Sequence, residues 1–371
     1  MPTDGINPLV LHDYFETPDG GGRTALLAAR ALGADLCHGA RRSDHPYWPS
    51  YAPPGQEHAL GRTLSINLVR QWEIQRRFLH ISGRLLQGRP VALYSGSYAP
   101  LAVLAHRACR NICYCHTPPR FLYDQRKQFL SAVVAPMRPI YQMALRRYQR
   151  RYERAMRSMD LIVTNSCNVQ ERIGEYLGLQ SRVLYPPCEV DQYRWAASKG
   201  YFLSAARHDA LKRVGVILDA FALIPDKQLV VISDGPESPA LEARAAKMPN
   251  VRFLGRVTES TYRRVLGECT GGIYIPKDED FGLTPVESMA AGKPVVGVAQ
   301  GGLLETVVPG KTGILLPSNE VTAQRLAAAV GALDSWDAEQ TKEACRAVAE
   351  KFSFSMFRDA LCRIAGTDAK P

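Results

Sequence analysis

Short apolar runs alternate with longer amphipathic stretches along nearly the whole chain. In the first half, Leu9–His12, Val91–Tyr94, Asn111–Cys115, Leu161–Thr164 and Arg182–Tyr185 read as strands. Between them, Thr24–Leu32, Leu64–Leu86, Ile140–Met156 and Val169–Leu177 carry apolar residues at helical spacing. A proline-led stretch from Pro186 to Trp195 reads as a linker. The alternation then restarts, with strands at Tyr201–Ala205, Gln228–Ser233, Val251–Leu254, Gly272–Ile275, Pro294–Val298 and Thr312–Leu315. Helical patterns at Val214–Leu223, Pro239–Met248, Ser260–Glu268, Pro285–Ala291 and Val321–Leu333 separate them. Repeated strand–helix alternation requires parallel sheets covered on both faces. The fold class is therefore α/β, as two Rossmann-like domains over residues 1–190 and 191–352, with a terminal amphipathic helix within 353–371. In open sheets of this kind ligands sit beyond the carboxyl ends of the strands, so the cleft between the two halves is the expected site.

Composition narrows this picture. The chain has 371 residues, 46% hydrophobic and 22% charged, which excludes disordered and fibrous classes. A membrane span needs about 20 consecutive apolar residues, and runs such as Phe129–Met137 are far shorter. The opening Met-Pro-Thr-Asp-Gly-Ile-Asn-Pro lacks the basic start and apolar core of a signal peptide, so a cytoplasmic location is expected. Nine cysteines fit free thiols in a reducing compartment. Cys109, Cys113, Cys115 and His116 match no common zinc spacing and read as a buried strand; no metal is expected there. The net charge of +10 is uneven. Residues 1–198 hold 25 Lys+Arg and 15 Asp+Glu, whereas residues 199–371 hold 21 of each. That excess calls for an anionic partner: nucleic acid, a lipid surface or a phosphorylated substrate.

Four stretches carry candidate chemistry. Pro276-Lys-Asp-Glu279-Asp-Phe281-Gly282-Leu283-Thr284-Pro-Val-Glu287 runs from a strand through a polar loop into a helix. Backbone amides of Phe281, Gly282, Leu283 and Thr284 at a helix start suit anionic or hydroxyl-bearing ligands, and the flanking carboxylates suit sugar and ribose hydroxyls. Thr284-Pro-Val-Glu287 equally fits a capping box, with Thr284 as N-cap, which would give Glu287 a structural task. Arg207 and Lys212 follow the first strand of the second half, where two cations suit a diphosphate. Asp19-Gly20-Gly21-Gly22-Arg23 lies between the first strand and its helix; it lacks dinucleotide-fingerprint spacing but permits close backbone approach to a ligand. His116 and Arg120 close a first-half strand on its carboxyl side.

Together these stretches resemble the retaining glycosyltransferases of family 4, which have the GT-B fold. The resemblance extends over almost the whole chain and includes Ser233-Asp-Gly-Pro236, Asn250–Val257, the double-glutamate loop, and Gly301–Gly313. His116–Asp124 and Glu279–Glu287 look most like bacterial mannosyltransferases of surface-polysaccharide assembly. The resemblance implies that Arg207 and Lys212 bind the donor diphosphate and that Glu279 lies by the donor sugar. It implies that Phe281 to Thr284 hold sugar and phosphate and that Glu287 binds ribose. Gly255 and Arg256 would position the nucleobase, Gly21 and Gly22 would lie near the phosphate and acceptor, and His116 beside the reacting sugar. Ser233 departs from the family's glycine at the start of the Gly-x-Gly-Pro turn, Lys277 from a common serine, and a third glycine precedes Gly21-Gly22.

The expected activity is transfer of a hexose, mannose from GDP-mannose, onto a lipid-linked saccharide. A UDP-sugar donor, or a non-catalytic basic protein on the same scaffold, is the alternative. No cofactor beyond the nucleotide-sugar substrate is expected, since no Asp-x-Asp metal motif is visible and Arg207 with Lys212 can stand in for a divalent cation. Between Arg120 and Arg157 the net charge is +8. Arg146, Arg147, Arg150, Arg151, Arg154 and Arg157 recur at helical spacing among Tyr148, Tyr152 and Met156. This reads as a basic amphipathic helix docking the first domain on the inner face of the cell membrane, rather than on nucleic acid.

Overall fold

The computed structural model describes residues 7–48, 50–62 and 67–367, with the side chains of residues 67–69 excepted. The start of the chain up to Ile6, read above for a leader, and the first residues of the stretch beginning at Leu64 lie outside these. The chain forms two compact units. One runs to Pro186 and takes up the chain again from Ser355; the other is Pro187–Phe354.

The first unit is built on seven strands: β1 (Leu9–His12), β2 (Asp35–His38), β3 (Glu57–Ala59), β4 (Val91–Ser95), β5 (Arg110–Cys115), β6 (Leu161–Thr164) and β7 (Arg182–Val183). They pair in parallel in the order β3-β2-β1-β4-β5-β6-β7. The second unit holds six: β8 (Tyr201–Ser204), β9 (Gln228–Ile232), β10 (Val251–Gly255), β11 (Gly271–Tyr274), β12 (Val295–Ala299) and β13 (Gly313–Pro317). Their order is β10-β9-β8-β11-β12-β13, again parallel. Central strands such as β1 and β4 are buried at every position, which is why they read as unbroken apolar runs rather than alternating ones. In each sheet the strand order reverses once, between β1 and β4 and between β8 and β11. These are the topological switch points where such sheets bind ligands.

Several boundaries differ from the sequence reading. Strand β2 was hidden by its polar ends. Asp35 is buried because it pairs with Arg89 at 2.6 Å, and His38 because its Nε2 meets Glu57 Oε1 at 2.8 Å. From Asn67 to Leu86, the described part of the stretch beginning at Leu64 is two helices, Asn67–Leu79 and Gly83–Leu86, interrupted where Ser82 turns extended. Helix Ala338–Glu350 escaped notice because its buried stripe is Thr341, Cys345 and Ala349, small residues with little apolar signal. The three glycines are not a loop before a helix. They form the first turn of helix Gly20–Leu32, capped by Asp19, whose carboxylate accepts the Gly22 N–H at 2.6 Å.

The terminal helix Phe354–Ala365 packs in the first unit from Ser355 onward. Phe357 sets its edge on Tyr114, with ring centres 6.2 Å apart, and Cys362 Sγ meets the Ala31 carbonyl at 3.5 Å. Helix Arg138–Arg157 turns Leu145, Tyr148, Tyr152, Ala155 and Met156 into the core. Its aromatic face is thus already used by the protein and is not offered to a membrane. Among the described residues no helix is long and apolar enough to cross a membrane.

Candidate active site

In the first unit, polar residues collect at the switch point. His12 ends β1, Ser95 ends β4 and His116 follows β5. The Ser95 hydroxyl lies 3.1 Å from His12 Nδ1 and 2.8 Å from His116 Nε2. One hydroxyl has a single proton to donate, so it cannot donate to both rings at once and their tautomers are linked through it. Burial holds both imidazoles neutral, His12 down to about 3 and His116 to about 4, with His38 adding to the first shift and His12 to the second. A Cβ on Gly21 would lie 3.6 Å from His116 Nε2, so the bare first turn of helix Gly20–Leu32 faces that ring. Beneath them Asp13 accepts the amides of Ser97, Tyr98 and Ala99 at 2.6 to 2.8 Å. Burial nevertheless pushes its carboxyl up to about 6. Gly21, Gly22 and His116 are therefore neighbours. Ser95 and His12 join them, unflagged by the sequence because each ends an apolar run. Arg120 instead pairs with Asp124, one helical turn on.

In the second unit the loop after β8 and the loop after β11 meet. Lys212 Nζ donates to Glu279 Oε2 at 2.5 Å and to the Tyr274 hydroxyl at 3.0 Å. Tyr274 in turn donates to the same carboxylate oxygen at 2.8 Å. Burial, reinforced by the Glu279 charge, drives the Tyr274 phenol well above its ordinary value, so it remains a donor. Arg213 clamps the two loops, its guanidinium donating to the carbonyls of Ile275 at 2.8 Å and Pro276 at 2.7 Å. It does so from a left-handed backbone, φ 53°. Arg207 does not join this cluster; its side chain is 60% exposed and lies 4.0 Å from Asp209.

The capping-box reading of Thr284 fails here. Helix Leu283–Ala290 begins two residues earlier, on Gly282 at φ 89°, a left-handed value that favours glycine, and no side chain caps it. Glu287 is instead buried and accepts the Tyr262 hydroxyl at 2.6 Å. Phe281 is buried against Phe352, ring centres 5.5 Å apart. Gly302 backs this loop so closely that a Cβ would stand 2.2 Å from Phe281 Cα. Gly255 and Arg256 lie at the end of β10, away from Lys212 in sheet order. Arg256 forks onto Asp234, both nitrogen–oxygen distances 3.1 Å, in an exposed pair. In this unit Tyr262, Tyr274 and Arg213 are thus the residues that sequence reasoning missed. The signal for Tyr274 was its place as the last residue of a strand leading into the glutamate loop.

On helix Arg138–Arg157 the Arg146, Arg147, Arg150 and Arg154 side chains are exposed, and Arg151 is partly buried. Among the described residues, no group of three or more His, Cys, Asp or Glu side chains is placed to hold a metal ion.

Residues 199–334 match the family described as glycosyl transferases group 1. The alpha-1,3/1,6-mannosyltransferase ALG2 of Dictyostelium discoideum is 36% identical over 141 residues, covering 32% of this chain and 34% of that protein. Its namesake from Rhizomucor pusillus is 25% identical over 304 residues, 67% of this chain and 64% of that one. The chain thus spans between a third and two thirds of the length of these two curated relatives. HepE of Anabaena, solved in complex with UDP and glucose, superposes with a TM-score of 0.72 at 15% identity, covering 98% of this chain and 100% of that one. The fold is GT-B.

Proposed function

We propose that the chain is a family 4-like glycosyltransferase, a retaining hexosyltransferase moving mannose from GDP-mannose to a lipid-linked saccharide. The observation that carries this reading is the Lys212–Glu279–Tyr274 cluster at the switch point of the matched domain. Breaking a glycosidic bond to a nucleoside diphosphate loads negative charge onto the leaving phosphates. A cation already held in place stabilises that charge without reorganising, which is the largest catalytic term in many enzymes. In this reading Lys212 does so, Arg207 adds a second cation and the amides at the start of helix Leu283–Ala290 a third contribution. Glu279 orients Lys212 and faces the donor sugar. Glu287 takes the ribose, with Gly255 and Arg256 by the base. Gly21, Gly22 and His116 serve the acceptor side.

The mannose assignment draws on the mannosyltransferase relatives. Transfer from a UDP-sugar is a second reading, favoured by the UDP and glucose bound to HepE. With two cations supplied by side chains, the reaction is proposed to run without a divalent metal, by a protein peripheral to the inner face of the cell membrane. The test is incorporation of labelled mannose from GDP-mannose into membrane lipid extract, with EDTA present. Wild type is expected to label it, and Lys212→Ala or Glu279→Ala to lose roughly 100-fold or more. Full activity in both variants would refute the assignment.

A further inference from the structure

In the first unit, helices Asn67–Leu79 and Arg138–Arg157 border a groove of about 290 Å³. Among the described residues Trp72, Arg76, Leu79, His80, Arg147 and Arg151 line it, and no carboxylate does. Among the described residues none of these three arginines has an ion-pair partner; Arg76 only rests over the Trp72 ring, 5.7 Å from its centre. Burial and, after it, the charge of Arg147 both disfavour the Arg151 cation. Three guanidiniums converging without a counter-charge mark a place where an anion with several oxygens is stabilised on arrival.

The same helix says what kind of anion. Ile140, Met143, Arg147 and Arg151 recur at intervals of three and four residues, so they share one face. Ile140 is 56% exposed and Met143 67%, and the chain before them exposes Val134 and Met137 as well. That face is therefore apolar at one end and cationic at the other, the profile of a phosphorylated amphiphile. Trp72, 59% exposed, supplies the amphipathic ring typical of a membrane interface.

We propose that this groove binds the phosphate head of a membrane lipid, with the lipid chain lying along Ile140 and Met143. Only in naming that lipid as the carrier of the saccharide acceptor does this rest on the function proposed above; the binding itself needs nothing from the second unit. It also selects Arg147 and Arg151 from the seven arginines of the helix.

The test is co-sedimentation of the full chain with phosphatidylcholine vesicles, plain or doped with a polyprenyl diphosphate, with soluble pyrophosphate as a separate probe. Wild type is expected to bind doped vesicles and not plain ones. The double variant Arg147→Gln/Arg151→Gln is expected to bind roughly 25-fold more weakly, the equivalent of about 1 kcal/mol for each charge. Arg154→Gln is expected to change this by less than about twofold, and Ile140→Ser/Met143→Ser to weaken vesicle binding but not pyrophosphate binding. Arg147→Lys/Arg151→Lys, which keeps the charge, guards against a folding defect and should retain most of the affinity. Wild-type binding by the double glutamine variant would overturn the site. Pyrophosphate bound as tightly as doped vesicles would replace the lipid with a soluble anion. Self-association abolished by the serine variants, with vesicle binding unchanged, would assign the face to a second copy of the chain. Nucleotide-sugar titration of the same variants separates the two proposals: lost donor binding with intact vesicle binding would sink the function and leave the groove.

Discussion

Ser233 holds a backbone φ of 93° at the end of β9, where the resembling family has glycine. Its amide donates to the Gly255 carbonyl at 2.8 Å, so the strained geometry is fixed by a partner strand. A non-glycine residue in that region costs about 1 to 2 kcal/mol, partly offset by the flexibility glycine adds to the unfolded chain. Ser233→Gly is therefore expected to raise stability by roughly 0.5 to 1 kcal/mol, read from urea unfolding midpoints; a lower midpoint would contradict the strain. The Gly-x-Gly-Pro departure that stood out in the sequence is thus a conformational one. Glu287 teaches a complementary lesson. Sequence spacing left it between a cap and a ligand contact, and only the helix start at Leu283 removes the cap. Nothing local to Thr284-Pro-Val-Glu announces Tyr262, which comes from a different helix to meet it.

At the scale of elements, the central strands were legible because burial on both faces leaves a continuous apolar signature. Edge elements were not. In β2, Asp35 and His38 are hidden by partners elsewhere in the chain, and a pairing across 54 residues (Asp35 with Arg89) leaves no local trace. The clustering of strand ends β1, β4 and β5 has a consequence for acid stability. His12 and His116 titrate near 6.5 in an unfolded chain but only near 3 and 4 in the fold. Between those values the unfolded chain binds more protons, so acid destabilises. Asp13, raised to about 6, runs the other way: it keeps a proton that the unfolded chain has released, which favours the fold between about pH 4 and 6. Two histidines against one aspartate leave a net loss of roughly 2 to 3 kcal/mol from about pH 7 to about pH 4.5. Urea unfolding across that range checks this. Stability that stays level or rises on acidification would mean that the rings are not held neutral.

For the molecule as a whole, the charge asymmetry along the chain becomes a division of labour. The excess lies wholly in residues 1–198, where the exposed arginines of helix Arg138–Arg157 lie. The second unit, without that excess, concentrates its chemistry in one ion pair and the loops around it. Two switch points, one per sheet, carry every candidate residue except Arg256 with Gly255, Arg120 and the arginine helix. The account stands on the second of them, and calorimetric titration of the full chain with a panel of nucleotide sugars, in EDTA, tests it most directly. GDP-mannose is expected to bind most tightly, and Lys212→Ala to weaken it by about tenfold or more, as befits a lost charge-assisted contact to phosphate. Tightest binding of a UDP-sugar would move the donor to the second reading. Failure of every nucleotide sugar to bind, or unchanged affinity in Lys212→Ala, would contradict the central claim.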